Sequence, residues 1–355
     1  MSLKHLIKQS ILDAKAYQPP INRRDFVKLD LNENYSVLNQ ELLDKMRSFD
    51  IFTISSYPEY QELTPLVAKY AGVSEGYVSL TNGSDQGIQL LLDLFFEKGD
   101  VAVVPSPTFF VYYHFLKIKQ VTIKDILYTE KNGQYKFPLA ETLKALAANA
   151  KGLILCNPNN PLGSSIPENE LIELLKKTDK LNIPIIVDEA YFEYANADAV
   201  KYLTEYKNLI ILRTFSKAFG LSGLRLGYII ADPEIINEIE KLRLAWSVNH
   251  FAVHAGIIVL KEVPYFKKKI QEQKKLKEEL YNLLSAQGLK CYKTETNFLI
   301  CRCPDYLDMI ARFKENRILV NDVSHYPYSG QLLKNAFRIN TPSAADFNLL
   351  KKLTF

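Results

Sequence analysis

Long hydrophobic runs, cysteine, histidine and charge of one sign are all scarce in this sequence. No apolar run approaches the ~18 residues needed to span a bilayer, so no membrane-spanning segment is expected. Four cysteines, Cys156, Cys291, Cys301 and Cys303, are too few for a disulfide framework in 355 residues, and reduced thiols fit a cytoplasmic protein. Cys301-Arg302-Cys303 closes the apolar stretch NFLICRC with no second Cys pair or His close by in sequence, so plain strand residues are expected there rather than a metal site. The histidines share no ligand spacing; His250 and His254 are helix neighbours, but no third ligand accompanies them. A net charge of +4, with lysines spread among acids, forms no basic stripe, and nucleic acid is not an expected partner. Neither GxGxxG nor GxxxxGK[ST] occurs, which removes the usual dinucleotide and nucleotide fingerprints.

What is present is an ordinary globular composition, 47% hydrophobic and 24% charged, in a chain long enough for a large core. Near the N-terminus Leu3, Leu6, Ile7 and Ile11 fall at helical spacing. They predict a helix packed on its own fold or on a second copy, without the continuous apolar core of a signal peptide. From about residue 77 short apolar runs alternate with helical patterns: GYVSL, DVAVVPSP, KGLILC, IPIIVD, NLIILRT and LRLGYIIAD. Strands that are apolar throughout are buried on both faces; separated by helices, they predict an α/β fold with a doubly wound, mostly parallel sheet. KKKIQEQKKLKEELYNLLSAQG reads as a long solvated helix, and the segments after it as a smaller α+β unit. The expected division is an N-terminal segment, 1–46, joining the small domain or a dimer interface, a large domain at 47–245 and a small one at 246–355.

Ligands in open α/β sheets sit beyond the carboxyl ends of the strands, and unusual polar groups cluster there. Thr81-Asn82-Gly83-Ser84-Asp85 is a Gly-containing turn opening a helix, where free N–H groups and the dipole favour an anion; many strand-to-helix turns look the same. Asn157-Pro158-Asn159-Asn160-Pro161 presents an amide on a stiff backbone or is simply a turn. Asp188 ends a buried strand, where a carboxylate needs a cation or donors, and a cap would also satisfy it. Lys217 follows Thr214 and Ser216 at the end of another strand, and Arg225 lies shortly beyond. An anion cradle, a carboxylate, an amide, a phenol and an amine together fit pyridoxal 5′-phosphate, which needs a Schiff-base lysine and an acid for its ring nitrogen.

The segments LDLNEN, SSYPEY, TNGSDQGI, CNPNNPLG, VDEAYFEY and RTFSKAFGLSGLRLGY occur in that order. Together they resemble the fold-type I pyridoxal-phosphate aminotransferases, and within them the histidinol-phosphate aminotransferase branch. YQPP at 17–20, WSVN at 246–249 and ILVNDVSHYP at 318–327 extend the likeness to nearly the whole chain. The resemblance implies that Lys217 holds the cofactor and shuttles the substrate proton, that Asp188 keeps the ring nitrogen protonated, and that Asn160 and Tyr191 bond the ring's phenolic oxygen. It implies that Phe109 stacks on the ring and that Gly83, Ser84, Asp85, Thr214, Ser216 and Arg225 surround the phosphate, with Asp85 capping its helix rather than touching the dianion. Tyr57 would reach the neighbouring subunit's phosphate in a homodimer. Arg338, with Tyr17 and Asn32, would receive the substrate, an amino donor or a 2-oxo acid acceptor.

The sequence departs from the family pattern in three places, one of them the stretch after Arg338, which is one residue short. Leu162 stands where a threonine is usual, and Asn321 where the branch carries an arginine toward the substrate phosphate; Arg23 or Arg24 is a candidate to compensate. An aminotransferase for another, aromatic, amino acid, a threonine-phosphate decarboxylase and a non-catalytic cofactor-binding protein are therefore the competing readings. His325, in the loop before the last strand, is a further candidate for substrate contact.

Overall fold

The structure is a computed structural model that describes residues 3–16, 22–195 and 198–353. Seven strands form the main sheet: β1 (Val78–Asn82), β2 (Val101–Ser106), β3 (Thr122–Leu127), β4 (Gly152–Cys156), β5 (Ile185–Asp188), β6 (Leu209–Thr214) and β7 (Leu226–Ile230). Their spatial order is β1-β7-β6-β5-β4-β2-β3. The pairings among β2 to β6 are parallel, and only β7 runs antiparallel, to both β1 and β6. This is the expected mostly parallel α/β sheet.

The reason lies in which way each apolar residue points. Successive side chains of a strand face opposite sides. Leu153, Leu155, Val187, Leu209 and Ile211 enter one core, while Ile154, Ile186, Ile210 and Leu212 enter the other. A strand with two buried faces must be apolar at every position. The apolar runs stop toward the ligand end: Cys156 and Asp188, register partners, close β4 and β5, and Arg213-Thr214 close β6.

Two helices frame that end, α1 (Gly83–Phe95) following β1 and α2 (Phe110–Ile118) following β2. Beyond the main sheet, α3 (His250–Lys261) and α4 (Val263–Ala286) lead to an antiparallel four-stranded sheet. Its strands are β8 (Lys290–Tyr292), β9 (Phe298–Arg302), β10 (Asn321–Asp322) and β11 (Ala336–Asn340), in the order β8-β9-β11-β10. Val27–Lys28 pairs with Ile318–Leu319, so the chain ahead of the main sheet is stitched to the smaller unit.

Two expectations change. The 24-residue α4 is not simply solvated. Phe266 and Ile270 enter the core below the main sheet, and Leu280 and Leu284 enter that of the four-stranded sheet. The many lysines on its outer face hide this stripe in the sequence. The N-terminal periodicity yields a 3₁₀ turn, Leu3–Leu6, and a single α turn, Gln9–Leu12, because Lys8 has an extended backbone; Leu3 and Leu6 remain exposed. No described helix is long and apolar enough to cross a membrane.

Candidate active site

Asp188, at the last position of β5, is only 2% exposed. Tyr112, on α2, donates its hydroxyl to Oδ2 at 3.0 Å, and the Ala190 backbone N–H donates to Oδ1 at 3.1 Å. Burial pushes the carboxyl up to about 7, against the pull of those two donors. A cation brought against it would restore the charged form.

Three residues on, Tyr191 is buried, and its hydroxyl accepts from Asn32 Nδ2 at 2.8 Å. Lys217 follows the end of β6, half-buried, and its Nζ donates to the Leu31 carbonyl at 3.0 Å. The amine lies 5.9 Å from the centre of the Tyr191 ring. Burial first, and then the positive charge of Arg338, pull the ammonium down to about 8. A lysine so placed is available as a free amine near neutral pH, which a nucleophile requires.

On the other side of Lys217 is a cradle suited to a phosphate. The α1 helix begins at Gly83 with no side chain capping its first turn. Gly83 has φ +68°, and a Cβ there would stand 2.5 Å from Arg225 Nη2. Gly227 is equally confined: its Cβ would meet Gly83 C and Ser84 N at 2.7 Å. These contacts allow the guanidinium to lie against the backbone that opens the helix. Arg225 Nη1 reaches the Ser222 carbonyl at 3.1 Å and Ser216 Oγ at 3.5 Å, and Thr214 Oγ1 meets Ser216 Oγ at 3.0 Å. Asp85 does not cap the helix. Its Oδ2 accepts from Arg225 Nη2 at 2.9 Å, because its place in the first turn faces the arginine brought over by β7.

The smaller sheet closes the opposite wall. Arg338, on β11 and 6% exposed, donates from Nη1 to Asn160 Oδ1 at 2.5 Å and from Nη2 to the Asp30 carbonyl at 2.9 Å. Its Nε and the Oδ1 of Asn32 are buried with no hydrogen-bond partner among the described residues. Buried polar atoms are rarely left so, and the pair fits a wall that completes its bonds with a ligand. Asn321 donates to the Asp30 carbonyl at 3.2 Å. Arg23, proposed as a compensating cation, is already held by Asp30 and Glu33 at 2.5 and 2.6 Å.

These walls enclose a cavity of about 870 Å³. Ser84, Asp85, Phe109, Asn160, Asp188, Tyr191, Thr214, Ser216, Lys217, Arg225, Asn32 and Arg338 all line it, as do Asn321 and His325. Gly83 stands behind Arg225. Tyr57 is elsewhere, 70% exposed and stacked on Trp246 with ring centres 4.2 Å apart. Tyr17 lies outside the described residues. Tyr112, Phe110, His114 and the Leu31 carbonyl were not anticipated; Tyr112 is a residue in an aromatic helix whose partner lies 76 positions away. His250 and His254 bond the carbonyls of Thr53 and Lys45, so each ring has its own backbone partner.

Fold and site together define an α/β enzyme with a carboxylate, an amine and an oxyanion cradle at the carboxyl ends of a doubly wound sheet. The donor set fits pyridoxal phosphate: an acid at a buried strand end, hydroxyls with a guanidinium for the phosphate, and a lysine between them. Residues 24–353 match the family model described as aminotransferase class I and II, and the chain belongs to that family of aminotransferases. It therefore works on an amino donor and an oxo-acid acceptor. The chain is 33% identical over 360 residues to histidinol-phosphate aminotransferase 1 of Carboxydothermus hydrogenoformans, covering 99% of each chain. It is 31% identical to the histidinol-phosphate aminotransferase of Caldanaerobacter subterraneus subsp. tengcongensis, over 98% of this chain and 96% of that one. Among solved structures, the histidinol-phosphate aminotransferase of Sinorhizobium meliloti, in complex with pyridoxal-5′-phosphate, superposes with a TM-score of 0.86. It is 22% identical, with 97% of this chain and 95% of that one covered. The fold is thus the fold-type I α/β architecture expected from the sequence.

Proposed function

We propose that this chain is a pyridoxal-phosphate-dependent histidinol-phosphate aminotransferase, exchanging an amino group between histidinol phosphate and the glutamate/2-oxoglutarate pair in histidine biosynthesis. The observation that carries the reading is the meeting of Lys217, Asp188 and Arg225 in one cavity whose opposite wall is Arg338. Full-length relatives of that name, at about 30% identity, support the substrate.

Bound cofactor supplies an electron sink that acidifies the donor's Cα–H and carries the amino group between half-reactions. In this reading Lys217 would hold the cofactor and, as the amine in the cavity, would serve as the acid–base group that moves the substrate Cα proton. Asp188, steadied by Tyr112, keeps the ring nitrogen protonated. Tyr191 and Asn160 bond the ring's phenolic oxygen, and Phe109 covers a ring face. Ser84, Thr214, Ser216 and Arg225 hold the phosphate, while Asp85 and Gly83 set the position of Arg225. Arg338 and Asn32 receive the anionic end of the substrate.

The remaining parts of the proposal are the assembly, the domain division and the compartment. A homodimer is supported by the exposed apolar group Ile51, Phe52, Ile54, Tyr57, Leu244 and Trp246, a surface of the kind that copies of a chain bury together; Tyr57 would reach the partner's site from it. The division into 1–46, 47–245 and 246–355 is kept as part of the proposal; the separate four-stranded sheet supports a smaller C-terminal unit, and the packing of α3 on the helices Gln40–Arg47 and Leu63–Ala71 favours counting that helix with the larger one. Four free thiols support a cytoplasmic setting.

A donor-by-acceptor screen of the holoenzyme tests the reading. Turnover of histidinol phosphate with 2-oxoglutarate, well above that of phenylalanine, is expected. Preferred turnover of an aromatic donor, or release of carbon dioxide from threonine phosphate, would move the substrate assignment while leaving the family intact.

A further inference from the structure

Cys291 on β8 and Cys301 on β9 are register partners in the four-stranded sheet, and their sulfurs are 3.1 Å apart. Neither lines the active-site cavity. Cys301 is fully buried in the core beneath that sheet, while Cys291 is partly exposed on an edge strand. We propose that these two residues are an oxidisable dithiol, converted by a small-molecule disulfide such as oxidised glutathione into an intrachain bond that fastens the edge strand β8 to the sheet.

The difference in exposure sets the order of events. The reagent can reach only Cys291. The hydrogen bond between the two sulfurs holds the Cys291 thiol below its usual pKa, whereas burial pushes Cys301 up. Cys291 thiolate attacks the reagent, forms a mixed disulfide and releases one glutathione thiolate. Cys301, giving up its proton, then attacks the Cys291 sulfur and expels the second glutathione. Two protein thiols are oxidised and one glutathione disulfide is reduced to two thiols, so no other oxidant is required. A disulfide of ~2.05 Å asks the sulfurs to close by about 1 Å, and the strand pairing already holds the two backbones in register.

The bond spans a hairpin rather than the active site. Arg338 belongs to β11, on the far side of β9, where it is opposite Ile300 and not Cys301. Oxidation should therefore be read in stability, with turnover little changed.

The experiment exposes holoenzyme to oxidised glutathione, maps the products by non-reducing peptide mass spectrometry and records the melting temperature. The wild type should yield a Cys291–Cys301 cross-linked peptide without retained glutathione, and melt about 5 °C higher, an increase reversed by dithiothreitol. Cys301→Ser should keep glutathione on Cys291, and Cys303→Ser should behave as the wild type. Persistent glutathione on Cys291 in the wild type, a link through Cys303, no reaction, or a link without a rise in melting temperature would overturn the proposal.

Discussion

Arg338 on the four-stranded sheet and Asn160 at the end of the main sheet are directly hydrogen-bonded, Nη1 to Oδ1. The group assigned to the substrate and a group assigned to the cofactor ring thus form one unit across the two sheets. Arg338→Lys keeps a charge but loses the planar fork that serves Asn160 and the Asp30 carbonyl together. Loss of one charge-assisted bond of about 1.5–3 kcal/mol predicts a fall of roughly 10- to 150-fold in kcat/KM for 2-oxoglutarate, measured in steady state. Cofactor absorbance should shift as well, because the Asn160 amide is released.

Asp188→Asn preserves shape while removing the charge; with the amide oxygen kept by the Ala190 N–H, the Tyr112 hydrogen bond must reverse, the amide N–H donating to the phenolic oxygen. Turnover should fall by at least about a hundredfold. Stability of the apoprotein should move the other way. The native carboxyl titrates near 7 rather than at 3.8, so burying its charge penalises the fold. That penalty is absent below 3.8, grows as pH rises toward 7 and is complete above it. Urea unfolding above pH 7 should show the variant more stable by a few kcal/mol, at most about 4, with the gain vanishing as pH falls toward 3.8.

Lys217 must lose a proton before it can attack an aldehyde. With its ammonium pulled down to about 8, association of pyridoxal phosphate with apoenzyme should quicken about tenfold per pH unit up to that value and level off above it. Stopped-flow absorbance checks this. A rise that continues to pH 10 would mean an ordinary lysine.

Gly83→Ala places a methyl in the left-handed region and against the Arg225 guanidinium. The backbone alone costs about 1–2 kcal/mol, and displacement of Arg225 should weaken cofactor retention more than tenfold, as dialysis of the holoenzyme would show. Ser84→Ala, which leaves that backbone undisturbed, should have the smaller effect.

The sheet and the strand-end residues were legible because physics restricts what those positions can be. The runs that open β4, β5 and β6 are apolar on both faces, so Asp188 and Lys217 are conspicuous where those runs stop. Contacts between distant segments carried no such mark. Tyr112 reads as one more aromatic in FVYYHF. Gln273 reads as a surface residue of a lysine-rich helix, yet it is buried against Tyr194 and Asn34. Asp85 could be foreseen in the first turn of its helix, but its pairing with Arg225 depends on how β7 lies between β1 and β6.

Two half-buried amines separate the account from a generic one. Lys277 is also pulled down to about 8 by burial, but its Nζ is held by the carbonyls of Thr294 and Thr296 outside the cavity. Borohydride treatment of the protein with pyridoxal phosphate, followed by peptide mapping, distinguishes them. A single stable pyridoxyl tag on Lys217, lost in Lys217→Ala together with turnover, is the predicted result; a tag on Lys277, or none, would contradict it.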